Sequence, residues 1–341
     1  MSVVIADLLA VGVILCAFAA FHHVIPSMKS KRLAREASVV AAEATPSPTA
    51  EPEVTATPEP TEEPDNRTEW QKKFADRFSD EIVQADGVYI SPNVHIEIEK
   101  VETNWGEYGN WPLVYYVADI YVASLDNFRT YTANNRLDLY GTQEIAEMDA
   151  AANSLITISG DFFGYQSIGY IVRNGVTYID NAAFNDICVM FNDGSMETYK
   201  SGKYDVEELK ARGVYQVWSF GPVLLDAEGH ALEYVSKSYT VDMRNPRSAI
   251  GYYEPGHYCF VVVDGRNDSV SKGMTLPMLS TLFEELGCKC AYNLDGGGSA
   301  MMLYNGELLN NPSNGDRALS DILCIVETGD KVEGPIVGGN E

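Results

Sequence analysis

Beyond residue 70, apolar and polar residues alternate over short stretches in the manner of β-strands. Val94–Val101 (VHIEIEKV) alternates as expected of a strand with one buried face. Leu113–Ala123 is rich in Val, Tyr and Ile and predicts a second strand. Pairs that favour two-residue β-hairpin turns stand between apolar runs at Asn174-Gly175, Asp193-Gly194 and Asn305-Gly306. This part of the chain is therefore predicted to be rich in antiparallel strands.

Helical patterns are fewer than strand patterns. They cover Thr142–Ala152, Asp205–Arg212 and Thr275–Leu286. The last segment is the most clearly bounded, because Thr275 can act as an N-cap and Gly287 can end the helix in a left-handed conformation. No internal repeat of 20–50 residues is visible. The predicted fold class is α+β, with a mixed, largely antiparallel sheet and a few packed helices.

The first residues of the chain differ from the rest in being almost entirely apolar. Val3–Ile25 is long enough to cross a bilayer as a helix, at about 1.5 Å per residue. A cleaved signal peptide is disfavoured, because no basic region precedes the apolar run and no small-residue cleavage pattern accompanies it. Residues 1–27 are therefore predicted to form a single transmembrane helix that anchors the chain in the membrane.

Residues 28–69 predict a basic flank and then a disordered linker. The stretch after residue 40 is rich in Pro, Thr, Ala and Glu, and it has no means of forming a core. Four basic residues follow the apolar run: Lys29, Lys31, Arg32 and Arg35. Taken alone, they favour a cytoplasmic position for the C-terminal part of the chain. A long, stiff spacer is most useful outside the cell, however. We therefore expect a single-pass protein of the cell membrane with an extracytoplasmic globular domain.

The charge of the chain narrows the range of partners. The sequence holds 24 Lys and Arg against 49 Asp and Glu, a formal net charge of −25. Such a surface repels nucleic acid, because phosphate backbones are bound by clustered Lys and Arg. A nucleic-acid partner is therefore not expected.

The strongest candidate for chemistry is Asn293–Ser299 (NLDGGGS), which comes directly after an apolar run. Three glycines in succession cost backbone entropy, so they fit a bend that needs positive φ or a close backbone approach by a ligand. Their amides could hold an anionic oxygen. A plain bulge or tight turn explains the glycines too, but Asp295 and the neighbouring amide and hydroxyl favour a site. No Walker-type lysine is present after the glycines.

Three more segments place charged residues beside apolar strands. Asp161 ends an apolar strand within SGDFFG, although an ordinary Asp turn would explain it equally well. Arg247 leads into an apolar strand and could clamp a phosphate through its planar fork. Asp264 and Arg266 come after the buried run VVV. Histidine is an unpromising catalyst here, because no HxH or HExxH spacing occurs.

Six segments then occur in a fixed order between about Ala150 and Glu327: SGDFFG, NPRSAIG, VVVDGR, SKGMTLPMLSTLFEELGC, AYNLDGGGSAMM and NPSNGDR. This series resembles the phosphodiester glycosidase domain family. The resemblance implies a domain core at 150–327, with a strand-rich part at 70–149 before it and a flexible tail at 328–341 after it. It also implies hydrolysis of a sugar linked through C1 to a phosphodiester, such as α-N-acetylglucosamine-1-phosphodiester, with release of free sugar and a phosphomonoester.

The chemistry of that reaction assigns roles to the candidate residues. A phosphate leaving group needs charge stabilisation more than protonation, while a carboxylate must serve the anomeric carbon as nucleophile or base. The predicted catalytic residues are Asp295, Asp161 and Asp264. The predicted substrate- and phosphate-binding residues are Arg247, Arg266, Arg317, Asn293, Gly296, Gly297, Gly298 and Ser299.

The sequence assigns no cofactor, but the three aspartates could together hold a divalent cation such as Ca²⁺ or Mg²⁺. The expected function is that of a membrane-anchored phosphodiester glycosidase acting on cell-surface or exogenous glycans. Two alternatives stay open. One is a metal-dependent phosphodiesterase that cuts the P–O bond. The other is a non-catalytic protein that binds glycans or assists exopolysaccharide assembly.

Overall fold

A computed structural model describes residues 65–105, 111–137, 140–163, 169–180, 185–233, 243–315, 317–327 and 336–337. The residues from Asp65 onward belong to one compact unit. The predicted membrane span and nearly all of the predicted linker lie outside the described residues. Within the described ranges, no helix is long and apolar enough to cross a membrane.

The described residues form four α-helices: α1 (Glu69–Lys73), α2 (Ile145–Ala152), α3 (Val206–Arg212) and α4 (Leu276–Glu285). They also form nineteen strands. The first ten are β1 (Val83–Ala85), β2 (Val88–Ile90), β3 (Val94–Asn104), β4 (Pro112–Val122), β5 (Phe128–Thr132), β6 (Arg136–Leu137), β7 (Ser154–Ser159), β8 (Tyr170–Arg173), β9 (Val176–Asp180) and β10 (Ile187–Phe191). The others are β11 (Met196–Tyr199), β12 (Val214–Trp218), β13 (Arg247–Glu254), β14 (His257–Val263), β15 (Cys290–Asn293), β16 (Met302–Tyr304), β17 (Glu307–Leu308), β18 (Asp321–Val326) and β19 (Ile336–Val337).

Three antiparallel sheets dominate the fold. The first has seven strands in the order β1-β2-β3-β4-β14-β13-β15. The second has the order β11-β10-β12-β8-β9, and the third has the order β17-β16-β7-β18-β5. A short parallel pair joins β19 to β6. The α+β class and the antiparallel pairing predicted from the sequence are confirmed.

One apolar core lies between the three sheets, and each sheet has a second apolar layer on its other face. The shared core takes Phe260 from the first sheet, Trp218 from the second and Leu323 from the third. On the other faces, α4 packs against the first sheet, α3 against the second and α2 against the third. The central strands of each sheet are therefore covered on both faces.

This arrangement explains why several strands are apolar without interruption. In β14, Phe260 and Val262 point into the shared core, while Val261 and Val263 belong to the layer that contains α4. Alternate residues of a strand face opposite sides of the sheet, so burial of both faces removes the polar positions. Continuous apolar runs are more typical of parallel sheets. Here they occur in antiparallel sheets because a helix covers the outer face of each.

The local turn and cap signals act as predicted. Asn174 and Gly175 both have positive φ, and they join β8 to β9 in a tight hairpin. The Thr275 side chain accepts a hydrogen bond from the Met278 amide at the start of α4, and Gly287 lies just beyond the helix with φ of 78°. These contacts are local, which is why the sequence reveals them.

Candidate active site

A buried group of three charges joins the second sheet to the third. Arg173, the last residue of β8, is fully buried between two carboxylates. Its Nε lies 2.5 Å from Asp321 Oδ2, and its Nη2 lies 3.2 Å from Asp161 Oδ2. Its Nη1 donates to the carbonyl oxygens of Val172 and Val217. Every nitrogen of the guanidinium therefore has an acceptor, as a buried charge requires.

Asp161 lies just beyond β7, and its own neighbours hold its carboxylate. Oδ2 accepts from the Ser219 amide at 2.7 Å, and Oδ1 accepts from the Phe162 amide at 2.7 Å. The Asp161 amide in turn donates to Asp321 Oδ1 at 2.6 Å. With Arg173 added, four protein groups fix the position of Asp161. Its carboxylate organises the site and has little freedom to react.

Gly160 lies directly against Asp321. A Cβ at this position would meet the Asp321 carboxyl carbon at 2.9 Å. Because Asp321 is fully buried and held by Arg173, it has no room to withdraw. The glycine between Ser159 and Asp161 is therefore required by close packing of β7 against the first residue of β18.

Asp295 is attached to the same point from the first sheet. Its amide donates to the Gly160 carbonyl at 2.9 Å, and its carbonyl accepts from Ser159 Oγ at 2.9 Å. In the described part of the chain, its carboxylate makes no ion pair within 4 Å. Asp295 retains 9% of its accessible surface. It is thus the carboxylate at this junction that the protein leaves available for chemistry.

Burial raises the pKa of Asp295 to about 6. The Ser299 hydroxyl and the Arg317 charge lower this pKa, while the charges of Asp161 and Asp321 raise it further. Burial likewise raises the pKa of Asp321 to about 6, against the opposing effect of Arg173. A carboxyl that titrates near neutral pH in a partly open bend is a candidate for acid–base or nucleophilic work.

The three glycines after Asp295 form a bend that is closely surrounded by protein. Gly297 has φ of 62°, and a Cβ there would meet Arg266 Nη2 at 3.0 Å. A Cβ at Gly296 would lie 2.8 Å from the Pro246 carbonyl oxygen, and one at Gly298 would lie 2.9 Å from Asn314 Nδ2. The predicted need for positive φ and close approach is confirmed. The approaching groups seen here belong to the protein itself.

Several polar groups in this bend lack protein partners. Gly297 donates its amide to the Pro246 carbonyl at 2.9 Å, but the amides of Gly296 and Gly298 make no backbone hydrogen bond in the described part of the chain. Asn293 Oδ1 is buried and likewise has no hydrogen-bond partner there. Asn293 Nδ2 does donate, to the Gly221 carbonyl at 2.7 Å. Buried polar atoms without partners are expected to bind water or a ligand.

The three predicted arginines have different surroundings. Arg317 is exposed and acts electrostatically on Asp295, and its guanidinium carbon lies 6.0 Å from the centre of the Phe162 ring. Arg266 adopts φ of 59° and donates through Nε and Nη2 to Asn245 Oδ1. Arg247 is buried and donates to the carbonyl oxygens of Met274 and Met243. Arg317 and Arg266 thus lie near the glycine bend, while Arg247 holds the backbone beside it.

Asp264 has a different set of contacts from the other predicted catalytic residues. Its Oδ1 accepts from Asn310 Nδ2 at 2.9 Å and from the Asn311 amide at 3.0 Å. Burial raises its pKa, and these two hydrogen bonds lower it. The carboxylate therefore ties the end of β14 to the loop that contains Asn310.

The contacts of the three aspartates bear on the predicted cation. Within the described residues, no group of three or more Asp, Glu, His or Cys side chains is arranged to hold a metal ion. Asp161 faces Arg173, and Asp264 faces Asn310. Their oxygens already accept hydrogen bonds from protein donors. The donor set fits a guanidinium-centred site better than a shared Ca²⁺ or Mg²⁺.

Three residues of the site are not predicted by the sequence motifs: Arg173, Asp321 and Ser219. Arg173 lies in a predicted hairpin strand, and a charge at the end of the apolar run YIVR is a signal that it needs a buried partner. Asp321 likewise opens the apolar run ILCIV. A charged residue attached to an apolar strand signals that a buried partner is needed, although it does not identify that partner. Nothing in the sequence marks Ser219, which contributes its backbone amide.

Comparisons with known proteins agree with this architecture. The family model for phosphodiester glycosidase matches residues 152–326. An uncharacterized SPbeta prophage-derived protein of Bacillus subtilis, YomE, is 30% identical over 192 residues, which are 54% of this chain and 29% of that protein. The chain thus spans under a third of the length of this relative.

Among solved structures, the zebrafish N-acetylglucosamine-1-phosphodiester alpha-N-acetylglucosaminidase catalytic domain, auto-inhibited by its pro-peptide, is similar in fold. The match has a TM-score of 0.56 and 22% sequence identity, and it covers 73% of this chain and 88% of that one. The chain belongs to the phosphodiester glycosidase family, as its motifs indicated.

The buried charge group predicts a large loss of stability when its centre is removed. Replacement of Arg173 by Met leaves Asp161 and Asp321 buried without a counter-charge, so the free energy of unfolding should fall by about 3–5 kcal/mol. Arg212→Met is the control, because Arg212 pairs with Glu197 at the surface, where an ion pair contributes about 1 kcal/mol or less. Urea unfolding of both variants measures the difference. Equal losses would show that the Arg173 group is not structural.

Proposed function

We propose that this chain hydrolyses the bond between a sugar C1 and a phosphodiester in cell-surface or exogenous glycans. The observation that carries the proposal is Asp295, an available carboxyl with a pKa of about 6 at the start of the glycine bend. Family membership supports the reaction class. An N-acetylglucosamine-1-phosphodiester is the substrate we would test first.

The polar groups of the bend suit the phosphate side of such a substrate. Arg317 and Arg266 offer positive charge, and the amides of Gly296 and Gly298 offer donors to anionic oxygens. Donors fixed in advance stabilise charge that develops on a leaving phosphate. The departing group then needs little protonation, so one carboxylate aimed at the sugar is sufficient.

Asp295 would serve the anomeric carbon, either by attacking it or by activating a water. Both roles require the ionised form, which predominates above pH about 6. Asp161 and Asp321 supply negative charge close by, which favours a positively charged sugar transition state. Arg173 pairs with both of these carboxylates and fixes their position. The chemistry thus divides between one reactive carboxylate and two that Arg173 holds in place.

Substitution of Asp295 by Asn tests the catalytic role. The variant should lose at least about 10²-fold in kcat, because one positioned acid–base group contributes that much. Its melting temperature should stay near that of the wild type, since Asn is nearly isosteric. Steady-state kinetics on a sugar-1-phosphodiester and thermal unfolding measure the two quantities. Asp264→Ala is the comparison, and we expect it to lower the melting temperature, because it removes the oxygen that accepts hydrogen bonds from Asn310 and Asn311.

The same assay in ¹⁸O-labelled water identifies which bond breaks. Cleavage at C1 places the label on the sugar, whereas a phosphodiesterase that cuts the P–O bond places it on phosphate. Unchanged kcat in Asp295→Asn would remove this residue from catalysis. Absence of turnover in the wild type on a panel of sugar-1-phosphodiesters would favour a glycan-binding role.

The pKa of Asp295 predicts a pH profile. Because the ionised form reacts, kcat/KM should fall about tenfold per pH unit below pH 6. Arg317→Gln should move this acid limb, the fall in kcat/KM at low pH, to higher pH, since Arg317 lowers the pKa of Asp295. Arg317→Lys keeps the charge and should leave the acid limb nearly in place. A limb that does not move in Arg317→Gln would assign the titration to another group.

Acid unfolding through the carboxyls of Asp295 and Asp321 would not produce the predicted fall in kcat/KM below pH 6. The folded pKa values of Asp295 and Asp321 lie above the unfolded value of about 3.9. Their protonated forms therefore favour the folded state below pH 4, and this contribution is lost as pH rises through 6. Circular dichroism across pH 4–7 separates loss of activity from loss of structure.

We also propose that the domain lies outside the cell and is held by the apolar segment Val3–Ile25. The support is the Pro- and Glu-rich linker, and long domains translocate largely regardless of nearby charge. Protease added to intact cells should release the domain, while a cytoplasmic marker protein stays intact. Full protection of the domain would contradict the proposal.

A further inference from the structure

A surface cavity of about 600 Å³ lies beside the glycine bend. The side chains that line it include Trp111, Arg244, Arg266, Asp268 and Lys272. Three of the seven lining residues are basic, in a chain whose formal net charge is −25. This local excess of positive charge contrasts with the acidity of the chain as a whole.

The cations of the cavity are held in place by neutral groups. The guanidinium carbon of Arg244 lies 3.8 Å from the centre of the Trp111 ring, and Lys272 Nζ lies 5.0 Å from it. Arg244 Nη1 also contacts Met278 Sδ at 3.1 Å. Cation–π contacts of this kind fix the position of a charge without neutralising it.

Counter-charge is scarce within the cavity. Among the described residues, Arg244 and Arg266 have no carboxylate within 4 Å. Lys272 lies 3.7 Å from Asp268, whose side chain is 93% exposed, so this pair is weak. Three cations line this cavity, two of them over the Trp111 ring, with one loosely held carboxylate, and they repel each other. An anionic ligand would relieve that repulsion.

Arg266 connects the cavity to the candidate active site. It lines the cavity, and its Nη2 lies 3.0 Å from where a Cβ of Gly297 would stand. Asp295 is two residues before Gly297. Arg266 adopts φ of 59°, which is costly for a side chain of its size and is a feature of functional sites. Arg266 therefore lies between the cavity and the bend that holds the reactive carboxyl.

We propose that this cavity binds a further phosphate group of the same glycan, one unit along the chain from the bond that is cleaved. The inference rests on the proposed function, because it takes the glycine bend as the site of cleavage. The guanidinium forks of Arg244 and Arg266 suit phosphate oxygens, and Lys272 adds a third donor. The preferred substrate is thus a glycan with repeated phosphodiester links, and Trp111 keeps two of the cations apart and oriented.

Binding is measured by calorimetry on the full-length chain carrying Asp295→Asn, so that the probe is not consumed. The probe is an oligomer of three N-acetylglucosamine-1-phosphate units, compared with the uncharged N-acetylglucosamine trimer. We expect the phosphate oligomer to bind at least about tenfold more tightly. Arg244→Gln and Lys272→Gln should each weaken its binding about tenfold, because each removes one charge-assisted contact. Lys203→Gln makes the same charge change outside the cavity and should have no effect.

Kinetic measurements on variants that keep Asp295 then test whether the cavity binds the substrate one unit away from the cleaved bond. Arg244→Gln should lower kcat/KM about tenfold on the phosphate oligomer and leave it unchanged on a substrate with one phosphodiester. Equal affinity for the two trimers, or an equal effect of Lys203→Gln, would overturn the subsite. Charge-dependent binding without turnover of any substrate would overturn the proposed function and leave the subsite standing.

Discussion

The structure depends on one buried guanidinium held between two carboxylates. Arg173 comes from the second sheet, while Asp161 and Asp321 come from two neighbouring strands of the third. None of the three could be buried alone, since an unpaired charge in a protein interior is far less favourable than a solvated one. Their mutual contacts therefore join the second sheet to the third. Through Gly160, they also fix where Asp295 stands.

The helices outside the sheets make this arrangement possible. Each of α2, α3 and α4 covers the outer face of one sheet, so that the inner faces can all converge on one core. The candidate site lies where strand ends from the three sheets meet. Polar groups concentrate there because strand ends leave amides and carbonyls without ladder partners. The site thus occupies a position that the architecture itself leaves polar.

The local features of the chain could be predicted from the sequence, and the long-range ones could not. The hairpin at Asn174-Gly175 and the cap of α4 at Thr275 each depend on a few adjacent residues. Asp295 could be proposed because three successive glycines mark a bend directly after it. By contrast, the pairing of Arg173 with Asp321 joins residues 148 positions apart, and no local pattern encodes such a contact. The division into three sheets could not be predicted either. When both faces of a strand are buried, its residues are apolar throughout, and the sequence does not show which face packs against which layer.

The wide sequence separation of the charge group has a consequence for the order of events during synthesis. Asp161 and Arg173 leave the ribosome well before Asp321, which stands 160 residues after Asp161. Closing so long a loop is slow, and the guanidinium stays hydrated until its second carboxylate arrives. The nascent chain therefore lacks an organised candidate site until β18 has been made. The site becomes organised only after the strand that supplies Asp321 has left the ribosome.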